Sequence, residues 1–480
     1  MHIDYHIFCL CSLFINEVYL DVNINLSNVT VLQKIDPRFL GVTMDSGGIK
    51  HHWNNYSFTS PKLLTLARGL TPCIIRVGGT DADYVIFTRN NTEQPLNKHS
   101  LSYGDHYNFT MSAGDWDKIN IFANSAGWDL IFDLNIAPRV NGQWDATNAM
   151  ELFKYTVEKG YRLYGFELGN ELNISPQFHV SAQQSAVDFL SLRKILKSIP
   201  SLSSSLIIGP DVAGIVVSFT DEFLDSGGVV AVDVVTFHHY YMGGSEATVD
   251  KFKDPAILDS LAPQIIGSIA AIGKTSPGKP VWLGETSTTW SAGPDNIGSA
   301  YVASFMWLDK LGVCARYGVK GVLRQTFSGN GALLGPSDFD PNTDYWISVL
   351  YKRLVGSNVF SITQSSDRNI RMYAHCTMIP STMGYERGSV TVYILNLGSD
   401  AVTIDVTGIT DTTQHLYLFS PGDERELRSQ YAKLNGNLIQ MTSDDRLPQL
   451  PPVPHSGSII LGGYNLGFIV FPNANKTQCM

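Results

Sequence analysis

The chain has 480 residues, of which 44% are hydrophobic and 16% are charged, and its formal net charge is −10. A chain of this length and hydrophobicity is not disordered and can bury the cores of one barrel-sized domain and a smaller one. The acidic balance, with no run of five like charges, argues against nucleic acid or a strongly anionic membrane as a partner. A polyanionic substrate would have to be held by local basic groups, because the overall field repels it.

The N-terminus holds a short apolar segment, residues 7–15, without the usual basic residues before it. Residues 1–17 are therefore predicted to be a weak signal segment, too short to cross a bilayer, and no other long apolar run is expected. Secretion is better supported by seven N-x-S/T sequons, which predict glycosylation at Asn25, Asn28, Asn55, Asn90, Asn108, Asn173 and Asn475. We expect a protein without a transmembrane segment that is extracellular, in the matrix or at the cell surface, or lysosomal.

The cysteines do not form a metal site, because no pair has the spacing of metal ligands. Cys73 and Cys314 lie in apolar contexts and are predicted to be buried thiols. Cys376 and Cys479 flank the C-terminal segment and could tie it down in an oxidising compartment. Neither a metal nor a cofactor is predicted.

In chain order, residues 18–31 alternate between apolar and polar side chains, which predicts a half-buried strand of an antiparallel sheet. From Phe39 onwards short β-type runs alternate with amphipathic helical stretches. The eight runs are 39–45, 73–79, 129–135, 163–171, 205–212, 233–241, 281–287 and 321–329. Helices are predicted at 60–70, 147–160, 185–199, 260–273, 299–318 and 344–356.

Eight strands that each precede a helix predict an α/β fold, a (β/α)8 TIM barrel over residues 39–357. A doubly wound open sheet is the alternative, but no G-x-G-x-x-G opens a helix. Residues 90–116 show no periodicity and are predicted to form a long loop over the exit of the second strand.

From residue 358 to residue 480 the chain reads as short strands separated by turns, the pattern of a C-terminal β-sandwich. The barrel uses nothing before Phe39. The strand within residues 18–38 is therefore predicted to join this sandwich.

Two glutamates, Glu171 and Glu285, end the fourth and seventh strand runs, in FELGNELN (166–173) and VWLGETS (281–287). The carboxyl ends of barrel strands converge on one mouth, so both side chains are expected there. Paired carboxylates at such a mouth indicate acid/base or nucleophilic chemistry on a sugar. The other interpretation, two salt-bridged surface glutamates, fits most strands that end in Glu when they are taken singly.

The other strand ends add hydrogen-bonding and aromatic groups that suit sugar hydroxyls and ring faces. We expect substrate binding by Asp45, Thr80, Asn170, His239, Tyr240 and Gln325. His238 and His239 are adjacent on one strand, so they point to opposite faces and cannot ligate one ion together. One of them should pack behind the barrel wall while the other reaches the mouth.

Retaining hydrolysis needs a protonated carboxyl and an ionised carboxylate about 5 to 5.5 Å apart, whereas inverting chemistry needs a wider gap. Glu171 and Glu285 can divide these two roles. Asn170 suits a hydrogen bond to a sugar 2-hydroxyl, and Tyr240 or Tyr241 could hold the nucleophile's carboxylate.

The motifs SPKLLTLARGL, RVGGT, FDLN, ELGNE, GPDV, FHHYY, VWLGETS and FMWLDKLG follow one another in an order that resembles the heparanase family, glycoside hydrolase family 79, over nearly the whole chain. The resemblance implies that Glu171 is the acid/base and Glu285 the nucleophile, with Asn170 and Tyr240 as active-site partners. It also implies a disulfide between Cys376 and Cys479. The expected activity is retaining endo-β-glucuronidase cleavage of internal bonds in a glycosaminoglycan such as heparan sulfate.

The chain departs from the vertebrate pattern of this family in three places. The 90–116 segment is too short to hold the segment that is excised there, so we expect a monomeric single chain. No Lys or Arg follows Glu171 or Asp211 closely, and the expected glycine run reads Ser291, Ala292, Gly293. Two alternatives therefore stay open: a hyaluronan-cleaving endo-β-glucuronidase, and a catalytically idle matrix protein that binds glycosaminoglycans. The expected partner is a glycosaminoglycan or a proteoglycan, with peripheral association at the cell surface.

Overall fold

The computed structural model describes residues 20–54, 56–90, 98–101, 104–175 and 180–480. The predicted signal segment and the sequon at Asn55 lie outside these ranges.

Within the described part of the chain, eight parallel strands close into a barrel. They are β1 (Leu40–Asp45), β2 (Cys73–Gly78), β3 (Trp128–Leu134), β4 (Gly165–Leu168), β5 (Leu206–Val212), β6 (Val234–His239), β7 (Val281–Thr286) and β8 (Gly321–Arg324). β8 pairs with β1, with Val322 beside Leu40, and this pairing closes the cylinder. The predicted TIM barrel is confirmed.

The helices surround the barrel and bury their apolar faces against it. They are Pro61–Arg68, Ala113–Ala126, Thr147–Glu158, Ala182–Ser198, Val217–Phe223, Val229–Ala231, Val249–Phe252, Pro255–Asp259, Leu261–Thr275, Ala303–Tyr317 and Thr343–Leu354.

One helical stretch, 255–275, is long and apolar enough to cross a membrane by length and composition alone. This corrects the expectation that no further long apolar run exists. The stretch lies against the barrel, where Leu261, Ile265 and Ile272 are buried.

The segment predicted as a long loop, 90–116, is more regular where the structure describes it. Val85–Thr88 pairs in parallel with Phe109–Ser112, and Lys98–Leu101 pairs with Gly104–Tyr107. Ser112 then caps the helix that starts at Ala113, through a reciprocal pair of hydrogen bonds with Asp115. The loop prediction is wrong at residues 113–116, which begin this helix. The helix is only weakly amphipathic, so its start is marked by the S-x-x-D capping pattern and not by apolar periodicity.

The C-terminal sandwich packs two sheets on each other. The larger sheet comprises Val31–Lys34, Val355–Phe360, Ile370–Thr377, Val390–Asn396, Leu466–Phe471, Gln414–Pro421, Ala432–Leu434, Asn437–Leu438 and Val453–His455. The smaller sheet comprises Leu20–Asn25, Val402–Thr407 and Ile459–Leu461. Alternate residues such as Val22, Ile404 and Ile469 face inward and form a separate apolar core. The N-terminal strand therefore belongs to the sandwich, as the fold prediction states. The antiparallel pairing expected for it is wrong, because Leu20–Asn25 pairs in parallel with Val402–Thr407.

The helix Ala303–Tyr317 joins the two parts, because its outer face is covered by the sandwich and its inner face by the barrel. Asp309 on this helix accepts hydrogen bonds from the Tyr373 hydroxyl at 2.6 Å and from Arg371 at 3.0 Å. These contacts anchor the sandwich to the helix that follows β7.

Candidate active site

Glu171 lies just beyond β4, in a left-handed backbone conformation with φ of 54°. Its backbone N–H donates to the Asp211 carbonyl at 2.9 Å, which fixes the turn against β5. The side chain is partly open to solvent, and its Oε1 lies 2.7 Å from Nδ1 of His238. A carboxyl group in this position can reach a substrate at the mouth and exchange a proton with it.

Glu285 lies on β7 and is held at both oxygens. The Tyr240 hydroxyl donates to Oε1 at 2.6 Å, and Arg76 donates to Oε2 at 2.7 Å. These two contacts hold the carboxylate in one orientation beside a permanent positive charge. This is the environment expected of a nucleophile.

The carboxylates of Glu171 and Glu285 and the His238 ring meet at one place, where one ligand atom from each lies within 4.8 Å of the others. A set of this kind could in principle hold a cation. Arg76 already supplies a positive charge to Glu285, so the arrangement fits a sugar centre between two carboxyl groups better than it fits a metal ion.

His238 is fully buried on β6 and bridges two carboxylates, because its Nε2 lies 2.9 Å from Asp211 Oδ1. Burial lowers the pKa of His238, but the charges of Asp211 and Glu285 and its two hydrogen bonds outweigh burial and raise it well above the usual range. The imidazolium form donates to Glu171 and Asp211 together, and so it fixes the position of the Glu171 carboxyl.

Arg76, in the middle of β2, is the centre of the buried charges below the mouth. It donates to Glu167 at 2.6 Å, to Asn170 Oδ1 at 3.0 Å and to Asp211. Although burial alone would raise the pKa of Asp211, Arg76 and His238 hold it below its usual range.

The remaining buried carboxyls of this cluster outnumber the cations, so several of them retain protons. Burial raises the pKa of Asp83 to about 8 and that of Glu167 to about 7. Burial also raises the pKa of Asp133 well above its usual range, and both of its oxygens have no hydrogen-bond partner among the described residues. The floor of the site therefore combines fixed charges with protonated acids.

The structure places Asp45, Thr80 and Asn170 at the ends of β1, β2 and β4, as the sequence predicts for substrate-binding groups. The Asp45 carboxylate accepts a hydrogen bond from the Gly47 N–H at 2.7 Å. It is exposed at the cleft, but the cleft walls surround it and keep much of the bulk water away. This desolvation, with the charge of Glu285, raises the pKa of Asp45 to about 6. Asn170 is buried and accepts from Arg76, and Thr80 is half-buried.

Gln325 and Tyr240 directly follow β8 and β6. Gln325, just after β8, accepts a hydrogen bond from the Thr43 hydroxyl. Of the two tyrosines considered for Glu285, it is Tyr240 that contacts the carboxylate, whereas the Tyr241 ring packs edge-on against His239 with centroids 4.9 Å apart.

The expectation for His239 is wrong. Its side chain is buried behind the barrel wall, and burial with the nearby charge of Lys310 lowers its pKa well below the usual range. Because side chains alternate along a strand, the contact of His238 with Glu171 places His239 on the opposite face.

The sequence alone assigns no role to Arg76 or His238. The available signal was a charged residue within an otherwise apolar strand, CIIRVGG, since an arginine is buried at such a position only when carboxylates surround it. The sequence likewise assigns no role to Asp211, which lies at the end of the fifth predicted strand run, 205–212.

The disulfide between Cys376 and Cys479 is confirmed, with the two Cα atoms 5.4 Å apart. Cys73 and Cys314 are buried free thiols, and burial raises their pKa values to about 11 and about 12.

Among the predicted glycosylation sites, Asn25, Asn28, Asn90 and Asn475 are exposed and Asn108 is half-buried. Asn173 differs, because its side-chain amide donates to the Ala213 carbonyl at 3.0 Å and accepts from the Ala213 N–H at 2.8 Å. A glycan on Asn173 would compete with this pairing beside Glu171.

Comparison with known proteins agrees with this geometry. Residues 24–312 match the model of glycosyl hydrolase family 79, N-terminal domain. The chain is 35% identical to heparanase from Gallus gallus, over 93% of this chain and 94% of that relative. It is 31% identical to hyaluronoglucuronidase from Hirudo nipponia, over 96% and 99% of the two chains. It is also 30% identical to inactive heparanase-2 from Mus musculus, over 95% and 89%.

Among solved structures, the crystal structure of a 4-O-α-L-rhamnosyl-β-D-glucuronidase from Fusarium oxysporum superimposes with a TM-score of 0.68. The sequence identity is 16%, and the match covers 94% of this chain and 100% of the other. At this identity the likeness concerns the fold.

Proposed function

Since this chain belongs to glycosyl hydrolase family 79, we propose that it is a retaining endo-β-glucuronidase that cleaves internal glucuronide bonds of a glycosaminoglycan. The observation that carries the proposal is the pairing of Glu171 and Glu285, which lie in different environments with one oxygen of each within 4.8 Å of the other. This short gap favours a direct attack by one carboxylate over an attack by an intervening water.

In the proposed first step, Glu285 attacks the anomeric carbon while Glu171 donates a proton to the leaving oxygen. Tyr240 and Arg76 hold the Glu285 carboxylate in one orientation. Once Glu171 has lost its proton, the His238 imidazolium stabilises the new carboxylate. Glu171 then activates the water that releases the sugar.

The charges beside the mouth support a substrate with few sulfate groups. Lys50 pairs with Asp81 at 2.5 Å, Lys62 with Asp340, Arg139 with Asp188 at 2.7 Å, and Arg324 with Asp344 at 2.9 Å. Since each of these cations is compensated by a carboxylate, none supplies an unpaired charge for a sulfate. We expect hyaluronan or desulfated heparan to be cleaved at least as fast as highly sulfated heparan.

An idle matrix protein is the competing function, and the similarity to a relative named inactive heparanase-2 favours it. Both glutamates are present in this chain, together with the contacts of Arg76 and Tyr240 on Glu285, and this supports an active enzyme. The disulfide is typical of an oxidising compartment and supports secretion or lysosomal residence.

The test is product analysis with hyaluronan, heparan sulfate, desulfated heparan and an aryl β-glucuronide, using Glu285→Gln as the matched inactive control. We expect new glucuronate reducing ends, released first in the β configuration. Release of the α anomer would contradict the retaining mechanism, and the absence of cleavage of all four substrates would remove the proposed function. A rate on highly sulfated heparan more than about tenfold higher, falling steeply with salt, would overturn the substrate assignment.

A further inference from the structure

A cavity of about 760 Å³ lies between the sandwich and the end of the barrel opposite the catalytic mouth. Pro37 and Pro72, which precede β1 and β2, form one side of it, and Met378 and Pro380 of the sandwich form another. β2 separates Pro72 from the mouth by six residues, which corresponds to about 20 Å. The cavity is therefore separate from the site of Glu171 and Glu285.

The charge of this cavity is unlike that of the rest of the molecule. Of the described residues that line it, three are basic, Arg68, Lys352 and Arg353, and none carries a carboxylate. In a chain of net charge −10, a concave surface with only positive side chains is a local exception. Such a surface attracts anions at short range although the overall field repels them.

The three basic groups differ in how far they are already satisfied. The Lys352 ammonium donates to the backbone carbonyls of Pro37 and Pro72, and Arg68 Nε donates to the Ser125 carbonyl at 3.0 Å. The half-buried Arg353 has no side-chain hydrogen bond or ion pair with any described residue. Partial burial of a guanidinium without an anion is unfavourable, and this desolvation lowers the pKa of Arg353.

The shape and the walls of the cavity indicate the kind of ligand. A volume of several hundred Å³ accommodates a few sugar rings, and Met378, Ile379 and Leu447 offer apolar surface for ring faces. The Arg353 guanidinium presents the planar fork that matches a carboxylate or a sulfate group.

We propose that this cavity is a second binding site for an acidic oligosaccharide, in which Arg353 and Arg68 hold a carboxylate or sulfate group. The choice of a polysaccharide rests on the proposed function, whereas the anion site rests on the unpaired guanidinium. A polymer anchored at this site would remain attached to the enzyme between cleavages at the distant mouth.

The test is calorimetric titration of the full chain carrying Glu285→Gln, so that short hyaluronan and heparin oligosaccharides are not hydrolysed. We expect two classes of site, of which Arg353→Gln weakens one by about tenfold or more, as expected for the loss of a charge-assisted contact. The matched control is Arg316→Gln, which removes the same charge from a half-buried arginine. Arg316 has one hydrogen bond, to the Ile362 carbonyl at 3.4 Å, and its guanidinium lies 6.0 Å from the centre of the Tyr317 ring. Unchanged oligosaccharide binding by Arg353→Gln, or an equal loss in the control, would overturn the proposal.

Inorganic sulfate separates the anion from the sugar. Competition by sulfate at the site that is lost in Arg353→Gln supports the proposed contact, whereas binding of sulfate without oligosaccharide would overturn the assignment. Should Arg353→Gln fail to fold, Arg68→Gln tests the same site. With Glu285 intact, Arg353→Gln should hydrolyse an aryl glucuronide at the normal rate. A wild-type chain that hydrolyses nothing would refute the proposed function while the titration still decides the anion site.

Discussion

Tyr240 donates its hydroxyl to Oε1 of Glu285 over 2.6 Å. Burial, together with the charge of Glu285, raises the pKa of Tyr240 well above its usual range, so the phenol remains a donor at neutral and moderately alkaline pH. The contact holds the Glu285 carboxylate in one orientation.

Replacement of Glu285 by Gln should reduce kcat on an aryl glucuronide by about a thousandfold or more, because a neutral amide cannot attack the anomeric carbon. Circular dichroism should show a folded protein, since the two side chains have similar volumes. Tyr240→Phe, which removes only the orienting hydrogen bond, should reduce kcat less. Activity of Glu285→Gln within tenfold of wild type would remove Glu285 from the mechanism.

Replacement of Glu171 by Ala should impair substrates with poor leaving groups much more than those with good ones, since only the former need a proton in the first step. With a good leaving group, the glycosyl-enzyme should accumulate and be detectable by mass spectrometry. Added azide should restore turnover and yield a β-glucuronyl azide. If azide had no effect, the acid/base role of Glu171 would be in doubt.

Thermal stability should fall as the pH rises from 5 to 8, owing in part to Asp83. Its pKa is about 8 in the folded protein, where burial raises it, and about 3.9 in an unfolded chain. Between these values the folded state holds a proton that the unfolded state lacks, so this contribution is present at low pH and is lost as pH rises through the folded pKa. His238 acts in the same direction above its unfolded pKa, since its own pKa is raised on folding.

Replacement of Asp83 by Asn should make the decrease of Tm between pH 5 and 8 shallower. Asp250→Asn is the control, because this carboxylate is exposed beside Lys253. A slope that Asp83→Asn left unchanged would show that Asp83 is ionised in the folded protein.

Lys310 should matter for catalysis without touching the substrate. Its buried Nζ lies 2.7 Å from the Thr286 hydroxyl, 2.5 Å from the Ser287 carbonyl and 3.2 Å from the His239 carbonyl, so it joins the ends of β6 and β7. Lys310→Met should lower kcat by about tenfold to a hundredfold with little change in KM.

The matched control is Lys352→Met, which removes another buried lysine bonded to two backbone carbonyls at the far end of the barrel. Both variants should lose stability, but only Lys310→Met should lose kcat. Equal kcat values for the two variants would assign Lys310 a purely structural role.

Replacement of both Cys376 and Cys479 by Ser should destabilise the sandwich. The bridge closes a loop with a sequence separation of 103 residues, and its loss should cost about 3 to 5 kcal/mol on the chain-entropy model. We expect a lower Tm and an unchanged kcat at 25 °C, because neither cysteine contacts the barrel mouth. Two free thiols in wild-type protein purified without reductant would contradict this prediction.

The sequence predicts the barrel because strand and helix patterns alternate along the chain. It predicts the two glutamates because Glu171 and Glu285 stand at the ends of strands, which converge in a barrel. It does not predict which of His238 and His239 faces the mouth, since that depends on the register of β6, which shifts beside β7 between Phe237 and His238. The role of Arg76 also follows only from the closed barrel, which brings Glu167, Asp211 and Glu285 around one guanidinium.

The strand Leu20–Asn25 is separated from its partner Val402–Thr407 by almost the whole barrel in sequence, with Leu20 beside Val402. Val31–Lys34 likewise pairs with Val355–Phe360. During synthesis these early strands therefore remain unpaired until the barrel and their partner strands have emerged from the ribosome. The alternating polar residues Asp21, Asn23 and Asn25 keep the unpaired strand Leu20–Asn25 soluble during this period. They also hinder its addition to the sheet edges of neighbouring chains.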